Sequence, residues 1–534
     1  MLDRFKSLTF SETEIQELYE YYNRYSGIPL PTREEFLEFS RTGNRLNYEN
    51  KYFALRHRIN GAFMLWRAGS DEYLDELRGL LTAVCDEETW ALPAHVPDPE
   101  APAALENART EIDLFAAETA MMLAEIKYLI EDKLGAELSE RINAEIRERI
   151  FVPFSQKRYH WEMAKHNWSA VCAGAIGIAY LRIAPEKLPL ERILGAMNAY
   201  ISGYNDDGIC LEGIGYWSYG FGFYIYFGKT LLDMRAIDII HTDKARRIAA
   251  FIENSILYGE TSVSCSDASE DFTAPEGLMG MISEIYGIAA NMRTEKTDEC
   301  GRWAHFIRSY LYPAEGAGRN PETGEFVFEQ SQWYVNRKER YGFFIKGGTN
   351  GEPHNHNDIG SFIIADNVGQ LLCDLGAGEY TKDYFNDKTR YNYLCNSSLG
   401  HSAPVIDGKG QFAGKGYFCD EFKCGGNRAR VSFGNAYGEN VKAAREVKLY
   451  DYKIVLRDTF RFTDEKPHNV TERFVTAIEP TLTDDGILIG DLKLNKAGEI
   501  QKEIIRAHNG EPKAVWLIDI PAGDEFEIEF LFMR

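Results

Sequence analysis

The spacing of the apolar residues changes once along this 534-residue chain, and that change restricts the folds it can adopt. From about residue 10 to residue 315, apolar residues recur at the period of an α-helix, most clearly in segments 115–134, 170–183 and 245–259. Turn-rich connections separate these segments, so the pattern predicts a series of helical hairpins. Periodicity alone does not decide whether the hairpins form a bundle, a solenoid or a closed ring.

After about residue 325 the period becomes two, which is typical of β-strands. The clearest strand segments are 341–348, 360–376, 445–462 and 524–534. The turns between them, such as DNVGQ and PAGDE, are short and favour antiparallel meanders. The number of predicted strands suffices for a two-sheet sandwich.

The segment EGAGRNPETGEF (315–326), where the period changes, has the composition of a loop. A chain of this length is also too long for a single hydrophobic core. We therefore expect two domains, a helical one over 1–325 and an antiparallel β-domain over 326–534. The predicted fold class is multidomain α + β.

The charge balance of the chain limits its partners. Lys and Arg number 59 against 82 acidic residues, which gives a net charge of −23. Nucleic acids and anionic membranes bind proteins with excess positive charge, so neither is expected as a partner. An acidic sugar would also be repelled overall, and binding one requires a local basic cluster. Candidates near the motifs described below are Lys157, Arg158, Lys165, Lys382 and Arg390.

Neither a membrane span nor a signal peptide is recognisable, because no apolar run reaches eighteen residues and the N-terminal segment is charged and amphipathic. The nine cysteines are scattered between Cys85 and Cys424 without a CxxC pair, which is typical of free thiols in a reducing compartment. These features predict a cytoplasmic protein. The sequence leaves the oligomeric state open, including a homo-oligomer.

Three polar clusters are unusual for their surroundings, and they are spread over both halves of the chain. The first is RYHWEMAKHNWSAVCAGAIG, where His160, Trp161, His166, Asn167 and Trp168 crowd before a helix of small residues. One interpretation is structural: Asn167 caps the helix and the tryptophans pack. The other is functional: the cluster forms a platform for a sugar and supplies an amide donor.

The second cluster is DDGICLEGIGYWSYGFGFYIYF, a glycine-rich turn that leads into an aromatic helix. It contains Glu212, Tyr216, Trp217 and Tyr219. Glycines let a backbone approach a ligand, and a tyrosine both stacks on sugars and transfers protons. The structural alternative is a set of core aromatic residues beside a tight turn.

The third cluster is the most specific signal in the chain. It comprises GTNGEPHNHNDIGSFIIADNVGQLLCDLGAGEY and the following RYNYLCNSSLGHSAPVIDGKGQ. His354 and His356 are two residues apart, so on a strand both would point to one face. Asp374 on a second strand and His401 in a loop are placed to meet one of them. Two histidines and one carboxylate are chemically competent to hold zinc.

At these residues the sequence resembles the heparinase II/III-like lyases. The resemblance covers nearly the whole chain and depends on the order and spacing of four motifs. These are HNW before a small-residue helix, EGxGYWxYG, HxHxDxGSF with a strand ending in LCDLGAGEY, and SSLGHSAPVIDGKGQ. It implies an (α/α) toroid followed by an antiparallel β-sandwich, and cleavage of a uronic-acid-containing polysaccharide by β-elimination.

The resemblance also implies roles for individual residues. Asn167 binds and neutralises the uronate carboxylate, Tyr216 is the catalytic tyrosine, and His354 is the catalytic histidine. Where some relatives place a histidine after the asparagine, this chain has Trp168, which leaves the preferred uronate epimer open. The residues expected to contact the substrate are His166, Trp168, Glu212, Trp217, Tyr219, Arg390 and Tyr391.

His356, Asp374 and His401 match the structural zinc ligands of some members of that family. The resemblance therefore implies a structural zinc ion and no organic cofactor. The expected partner is an acidic polysaccharide or oligosaccharide.

The residue types suit the chemistry independently of the resemblance. The C5 proton beside a carboxylate leaves only when the charge is offset and the developing enolate is stabilised by preorganised donors. Asn167 and a nearby basic residue would do this, while Tyr216 and His354 transfer protons in an order that the sequence leaves open.

Two other functions compete with this interpretation. A glycoside hydrolase on a similar toroid would need two carboxylates flanking the bond, for which Glu212 and Asp207 are candidates, but it leaves the histidine-rich motif unexplained. A non-catalytic carbohydrate-binding protein would use Trp161, Trp168 and Trp217 to stack on sugars.

Overall fold

A computed structural model describes residues 1–96, 104–269, 272–314 and 321–533. The first part of the chain is helical, as predicted. Its α-helices are α1 (Leu2–Lys6), α2 (Glu12–Ser26), α3 (Arg33–Thr42), α4 (Leu46–Arg67), α5 (Tyr73–Asp86), α6 (Ala104–Ala108), α7 (Leu114–Leu134), α8 (Ala136–Ile146), α9 (Val152–Gln156), α10 (Asn167–Ile183), α11 (Leu190–Ile201), α12 (Ile214–Arg235), α13 (Asp243–Ala249), α14 (Phe251–Ser255), α15 (Glu276–Tyr286) and α16 (Trp303–Leu311).

The helices form two layers. Helices α4, α7, α10 and α12 are buried around most of their circumference, and α10 packs against both α7 and α12. Each of α2, α5, α8 and α11 buries one apolar face against an inner helix. This inner and outer arrangement of hairpins is the (α/α) toroid. In the part of the chain that the structure describes, no helix is long and apolar enough to span a bilayer.

One predicted helix is wrong in part. Segment 245–259 contains α13 and α14, but its last residues are a strand, Ile256–Tyr258, that pairs with Thr261–Ser262. Gly259 lies between the two strands with φ 54°, in the left-handed region that a tight turn requires. The apolar period continues through this segment because the strand is also buried against the core, so periodicity did not reveal where the helix ends.

The second part of the chain is an antiparallel β-domain, as predicted. The strands of the whole chain, including short ones in the helical part, are β1 (Ile256–Tyr258), β2 (Thr261–Ser262), β3 (Ala274–Pro275), β4 (Thr294–Glu295), β5 (Gly324–Phe328), β6 (Trp333–Arg337), β7 (Gly342–Lys346), β8 (Thr349–Asn350), β9 (Phe362–Asp366), β10 (Gly369–Leu372), β11 (Val405–Ile406), β12 (Gly414–Phe418), β13 (Glu421–Cys424), β14 (Arg428–Ser432), β15 (Val441–Leu449), β16 (Lys453–Phe462), β17 (Val470–Thr476), β18 (Thr481–Thr483), β19 (Gly486–Ile489), β20 (Leu492–Leu494), β21 (Glu499–Arg506), β22 (Pro512–Ala522) and β23 (Glu525–Phe532).

Three larger sheets build this domain, where the sequence suggested two. Their strand orders are β10-β9-β7-β6-β5, β11-β17-β22-β21 and β13-β14-β15-β16-β23-β20-β19-β18. One apolar core receives side chains from all three sheets, so the architecture is a β-sandwich.

The five-stranded sheet is buried on both faces. Along β6, Trp333 and Val335 join the core of the helical domain, while Tyr334 between them joins the core of the β-domain. Strand β7 alternates in the same way, with Phe344 on the helical side and Phe343 on the other. A strand buried on both faces reads as a continuous apolar run, as in YGFFIKGG. The sheet is therefore the junction between the two domains.

The boundary between the domains stays a prediction. Of the predicted loop 315–326, residues 315–320 lie outside the described residues. The last helix before it ends at Leu311, and the first strand after it begins at Gly324.

A buried ion cluster connects the sheets of the sandwich. The guanidinium of Arg445 on β15 donates to Asp458 on β16 at 2.7 Å and to Glu472 on β17 at 2.9 Å, and all three side chains are fully buried. Its Nη1 donates to the carbonyls of Gly360 and Ser402. Those two residues end the loops that carry the histidine motifs, so the cluster holds both loops in place.

We expect Arg445→Met to destabilise the protein by about 3–5 kcal/mol, because it leaves two buried carboxylates without their cation. Urea unfolding followed by circular dichroism measures this. The matched control is Arg457→Met on the next strand, since Arg457 forms an exposed pair with Glu527. Equal midpoints for both variants would contradict the prediction.

Candidate active site

The candidate site lies where the loops of the β-domain meet the first residues of α10 and α12. Tyr216 is in the first turn of α12, and the ring of His354 stacks on it with centroids 4.0 Å apart. The structure thus brings together two predicted catalytic residues that are 138 positions apart in the sequence. The hydroxyl of Tyr216 also shares a 2.8 Å hydrogen bond with that of Tyr380.

The two histidines of the HNH motif are not on a strand, contrary to the sequence-based expectation. They lie in the loop between β8 and β9, and His354 has a φ of 52°. The loop sends the two rings to different depths, with 22% of the His354 side chain exposed and none of the His356 side chain. A functional division between the two histidines therefore comes from the loop's conformation rather than from a shared strand face.

Asp267 is a central residue of the site that the sequence did not reveal. Its carboxylate lies 2.7 Å from His354 Nδ1 and 3.0 Å from His356 Nε2. It also accepts hydrogen bonds from the Tyr384 hydroxyl and from Arg390. Burial alone raises the pKa of Asp267, but the hydrogen bonds from the two histidines outweigh burial and hold that pKa well below its usual range.

His356, Asp374 and His401 form the group predicted to hold a metal. Each offers a ligand atom, and these atoms lie within 4.8 Å of one another. His401 Nδ1 is 3.2 Å and His356 Nδ1 4.0 Å from the Asp374 carboxylate. Asp374 follows the end of β10 by two residues, so it is in a loop rather than on the strand as expected.

The hydrogen bonds of this group suit a bound cation. His356 Nε2 faces Asp267, and His401 Nε2 faces the carbonyl of Cys395 at 2.9 Å. The Nδ1 atoms of both rings are buried and have no hydrogen-bond partner. Rings whose far nitrogens are bound to a carboxylate and a carbonyl, and whose near nitrogens face a third ligand, have the outer-sphere pattern of histidine metal ligands. The residues therefore fit a divalent metal ion.

Asn167 is the first residue of α10 and is buried. The capping position is held by His166, and no side chain caps this helix, so the structural interpretation of Asn167 as a cap is not supported. Burial lowers the pKa of His166, and a positive charge on His354 lowers it further. The start of α10 therefore lies within electrostatic range of His354.

Several residues expected to contact substrate have structural partners instead. Trp217 is fully buried and donates from its indole nitrogen to the Ile248 carbonyl at 2.7 Å, so its assignment to substrate binding is wrong. Tyr219 is nearly buried and donates its hydroxyl to Glu118, with Arg302 stacked 4.1 Å from its ring centroid. These two aromatic residues face the helical core because they follow Tyr216 around the circumference of α12.

The remaining candidates lie around the site to different degrees. Trp168 is half-buried against His95, with ring centroids 5.0 Å apart. Arg390 donates to Asp267 and to the carbonyl of Asn355, and Tyr391 accepts from the Asn355 amide at 3.3 Å. Arg390 is therefore part of the framework of the HNH loop rather than an unpaired cation.

The basic cluster expected from sequence is also reduced by pairing. Lys157 binds Glu111 at 3.0 Å and Arg158 binds Glu162 at 2.9 Å. With Arg390 bound to Asp267, the exposed cations left from that set are Lys165 and Lys382.

Tyr380 and Tyr384 were missed for the same reason as Asp267. Tyr380 ends the GAGEY motif and reaches Tyr216, while the Tyr384 hydroxyl binds Asp267 and the Asn396 amide oxygen. Nothing in their local sequence separates them from the many other tyrosines of the chain. The signal was the position of GAGEY directly after the strand that precedes Asp374.

Comparisons with known proteins agree with this architecture. Residues 320–528 match the family model described as Heparinase II/III-like, C-terminal, so the β-domain is a heparinase II/III-like domain. No curated protein matches the sequence.

Solved structures match over nearly the whole chain. A structure titled heparinase III, BT4657 gene product, has 14% identity and a TM-score of 0.59, covering 97% of this chain and 88% of its own. A mutant of the heparan sulfate lyase HepC from Pedobacter heparinus has 12% identity and a TM-score of 0.60, covering 90% and 76%. The chondroitin AC lyase of Streptomyces coelicolor A3 has 12% identity and a TM-score of 0.54, covering 97% and 83%. At these identities the likeness confirms the predicted fold, an (α/α) toroid followed by a β-sandwich.

Glu212 generates a prediction about pH. Burial raises its pKa to about 7, with the charge of Asp267 adding and that of His354 opposing. A carboxyl whose pKa is raised by folding carries no penalty below its unfolded pKa, and the penalty grows as pH rises through 7.

We therefore expect Glu212→Gln to gain stability relative to the wild type between pH 5 and pH 8, by roughly 3 kcal/mol at most. Melting temperatures of both proteins across this range measure the effect. Any constant offset between them reflects lost contacts, so only the change with pH is diagnostic. A gap that stays constant or narrows toward pH 8 would contradict the raised pKa.

Proposed function

We propose that this protein is a polysaccharide lyase that cleaves uronic-acid-containing glycans by β-elimination. The observation that carries the proposal is the contact between His354 and Tyr216, two proton-transfer groups from different domains. The start of α10, with the neutral amide of Asn167, lies within electrostatic range of this pair. This arrangement supplies the parts that an elimination requires, namely a base, an acid and a neutral donor for the uronate.

The hydrogen bonds support separate roles for the two proton-transfer groups. His354 Nδ1 faces the Asp267 carboxylate, so this nitrogen carries a proton and Nε2 is left with the lone pair. Burial raises the pKa of Tyr216 above its usual range, with Asp267 adding, while the hydrogen bond with Tyr380 opposes the rise. Tyr216 therefore rests as a neutral phenol that can donate a proton.

The proposed reaction follows from these states. His354 Nε2 removes the C5 proton, and the electron pair left on C5 forms the C4–C5 double bond as the C4–O4 bond breaks. Tyr216 donates its proton to the departing O4. The Asn167 amide, with His166 beside it, binds the uronate carboxylate and stabilises the enolate-like transition state. The products are a new reducing end and an unsaturated uronate.

The hydrolase alternative finds less support in the geometry. Both oxygens of Asp207 accept hydrogen bonds from Ser331, at 2.7 and 2.8 Å, so this carboxylate is used in a structural contact. The binding-protein alternative loses two of its three tryptophans, because Trp161 and Trp217 are fully buried. The lyase proposal accounts for the HNH motif, which neither alternative explains.

The substrate class rests on the similar structures. The titles of those proteins name heparan sulfate and chondroitin sulphate, which are both uronic-acid glycans. We propose an acidic polysaccharide or oligosaccharide of this class as the partner of this chain. Lys165 and Lys382 are the exposed cations nearest in sequence to the site motifs, and they would contribute to its attraction. A cytoplasmic location stays a prediction from sequence.

We expect the wild type to raise both ultraviolet absorbance and reducing ends when incubated with heparan sulfate, chondroitin sulfate, hyaluronan and alginate in turn. An unsaturated uronate absorbs in the ultraviolet, whereas a hydrolysis product does not. Reducing ends without absorbance would instead show a hydrolase, and binding without either signal would show a carbohydrate-binding protein.

In the same assay Tyr216→Phe should lower turnover about a hundredfold or more, because it removes only the proton-donating hydroxyl. Tyr219→Phe, one turn further along α12, should leave turnover nearly unchanged, since its hydroxyl is bound to Glu118. The reverse result would move the catalytic role to Tyr219.

We further infer that His356, Asp374 and His401 bind a zinc ion with a structural role. Two nitrogens and a carboxylate are a common zinc donor set, and both ligating nitrogens lack other partners. When bound, the ion would link the end of β10 to the loop after Ser398–Gly400, and its binding energy would add to folding stability. These residues hold the ion beneath the site and take no part in the proton transfers.

We expect His356→Ala to lower the zinc content and the melting temperature together, because it removes a ligand and leaves Asp374 buried beside His401. His354→Ala is the matched control, two residues away, and should abolish turnover while zinc content and melting temperature stay nearly unchanged. Elemental analysis and thermal melting measure both. Equal zinc content in the wild type and His356→Ala would remove the zinc assignment.

A further inference from the structure

Four side chains of the β-domain converge on one carboxylate that the helical domain supplies. Asp267 lies before the region that matches the family model, and its side chain is fully buried. Its Oδ2 faces His354 Nδ1, whereas its Oδ1 faces His356 Nε2 and the Tyr384 hydroxyl. Arg390 is 3.3 Å from both oxygens.

The segment that carries Asp267 is fixed on both sides. Ser266 has a φ of 61°, a strained value for a residue other than glycine, and its hydroxyl donates to the Leu211 carbonyl at 2.9 Å. The carbonyl of Ala268 accepts from the amide of Ala377 at 3.1 Å. A Cβ on Gly376 would lie 2.1 Å from that carbonyl, so glycine is required there. The backbone thus leaves Asp267 little freedom.

We propose that Asp267 is a positioning residue that sets the tautomers of both histidines at once. A carboxylate only accepts hydrogen bonds, so each ring nitrogen that faces it carries the proton. His354 is thereby left with its lone pair on Nε2, toward Glu212 and the cleft, and His356 with its lone pair on Nδ1, toward Asp374. The catalytic role of His354 in this inference rests on the proposed function, whereas the tautomers do not.

The substitution Asp267→Asn separates the two effects. The Oδ1 side of Asp267 faces His356 and the Tyr384 hydroxyl, which are both neutral donors, so the oxygen of the new amide would occupy that side and keep the bond to His356. The amide NH₂ would then face His354 Nδ1 and donate to it. The proton of His354 would move to Nε2, and the lone pair would turn away from the substrate.

The experiment compares Asp267→Asn, Asp267→Ala and Asp233→Asn, the last being a control at the far end of α12. We expect Asp267→Asn to lower kcat about a hundredfold or more with KM changed less than about threefold, and to retain zinc. Asp267→Ala should lower kcat and also weaken zinc binding about 10–100-fold, since both histidines lose their partner. The control should match the wild type.

A second readout does not depend on turnover. Long-range ¹H–¹⁵N spectra of histidine-labelled protein report which ring nitrogen is protonated, and the signals of His354 are those that vanish in His354→Ala. We expect protonation at Nδ1 in the wild type and at Nε2 in Asp267→Asn.

The two readouts distinguish failure of the inference from failure of the proposed function. If the wild type shows no elimination on any glycan, the lyase proposal fails, and the tautomers and zinc content alone decide the role of Asp267. An unchanged His354 tautomer in Asp267→Asn would overturn the inference. So would an unchanged kcat in an active enzyme, or a loss of kcat that only follows a fall in melting temperature.

Discussion

The site depends on one buried ionic interaction, the carboxylate of Asp267 surrounded by donors from the other domain. A charged group without water is costly unless it is fully hydrogen-bonded, and here two histidines, a tyrosine and an arginine supply those bonds. The helical domain contributes the charge and the β-domain contributes the donors. Neither domain therefore contains the site by itself, and docking of the two domains and assembly of the site are the same event.

Much of the fold was predictable because the apolar period is a local property. The helices α7 and α10 and the strands β7, β9, β15, β16 and β23 lie within the segments that the periods indicated. The closing of the helical hairpins into a toroid was not predictable from the period, since it depends on contacts between distant helices such as α10 and α12. The end of α14 was missed because a buried strand follows a buried helix there, and the apolar pattern does not distinguish the two.

The candidate site was predictable where its residues lie in distinctive motifs and unpredictable where they do not. Tyr216, His354 and the group His356, Asp374 and His401 were found by motif, and the structure brings each set together. The strand that was to align the histidines is a loop, so the expected division of their roles rested on a different physical cause. Asp267, Tyr380 and Tyr384 act across more than a hundred residues in part, and no local pattern marks them.

The five-stranded sheet has a consequence for how such a chain can be divided. Its residues alternate between two hydrophobic cores, so many of its apolar side chains have partners in the helical domain. A fragment cut to the limits of the family match would carry Trp333, Val335 and Phe344 on a bare face. An exposed apolar sheet of that kind invites self-association. The unit that a sequence family recognises is thus smaller than the unit that can fold in water, and the shared sheet makes the two domains inseparable in the test tube.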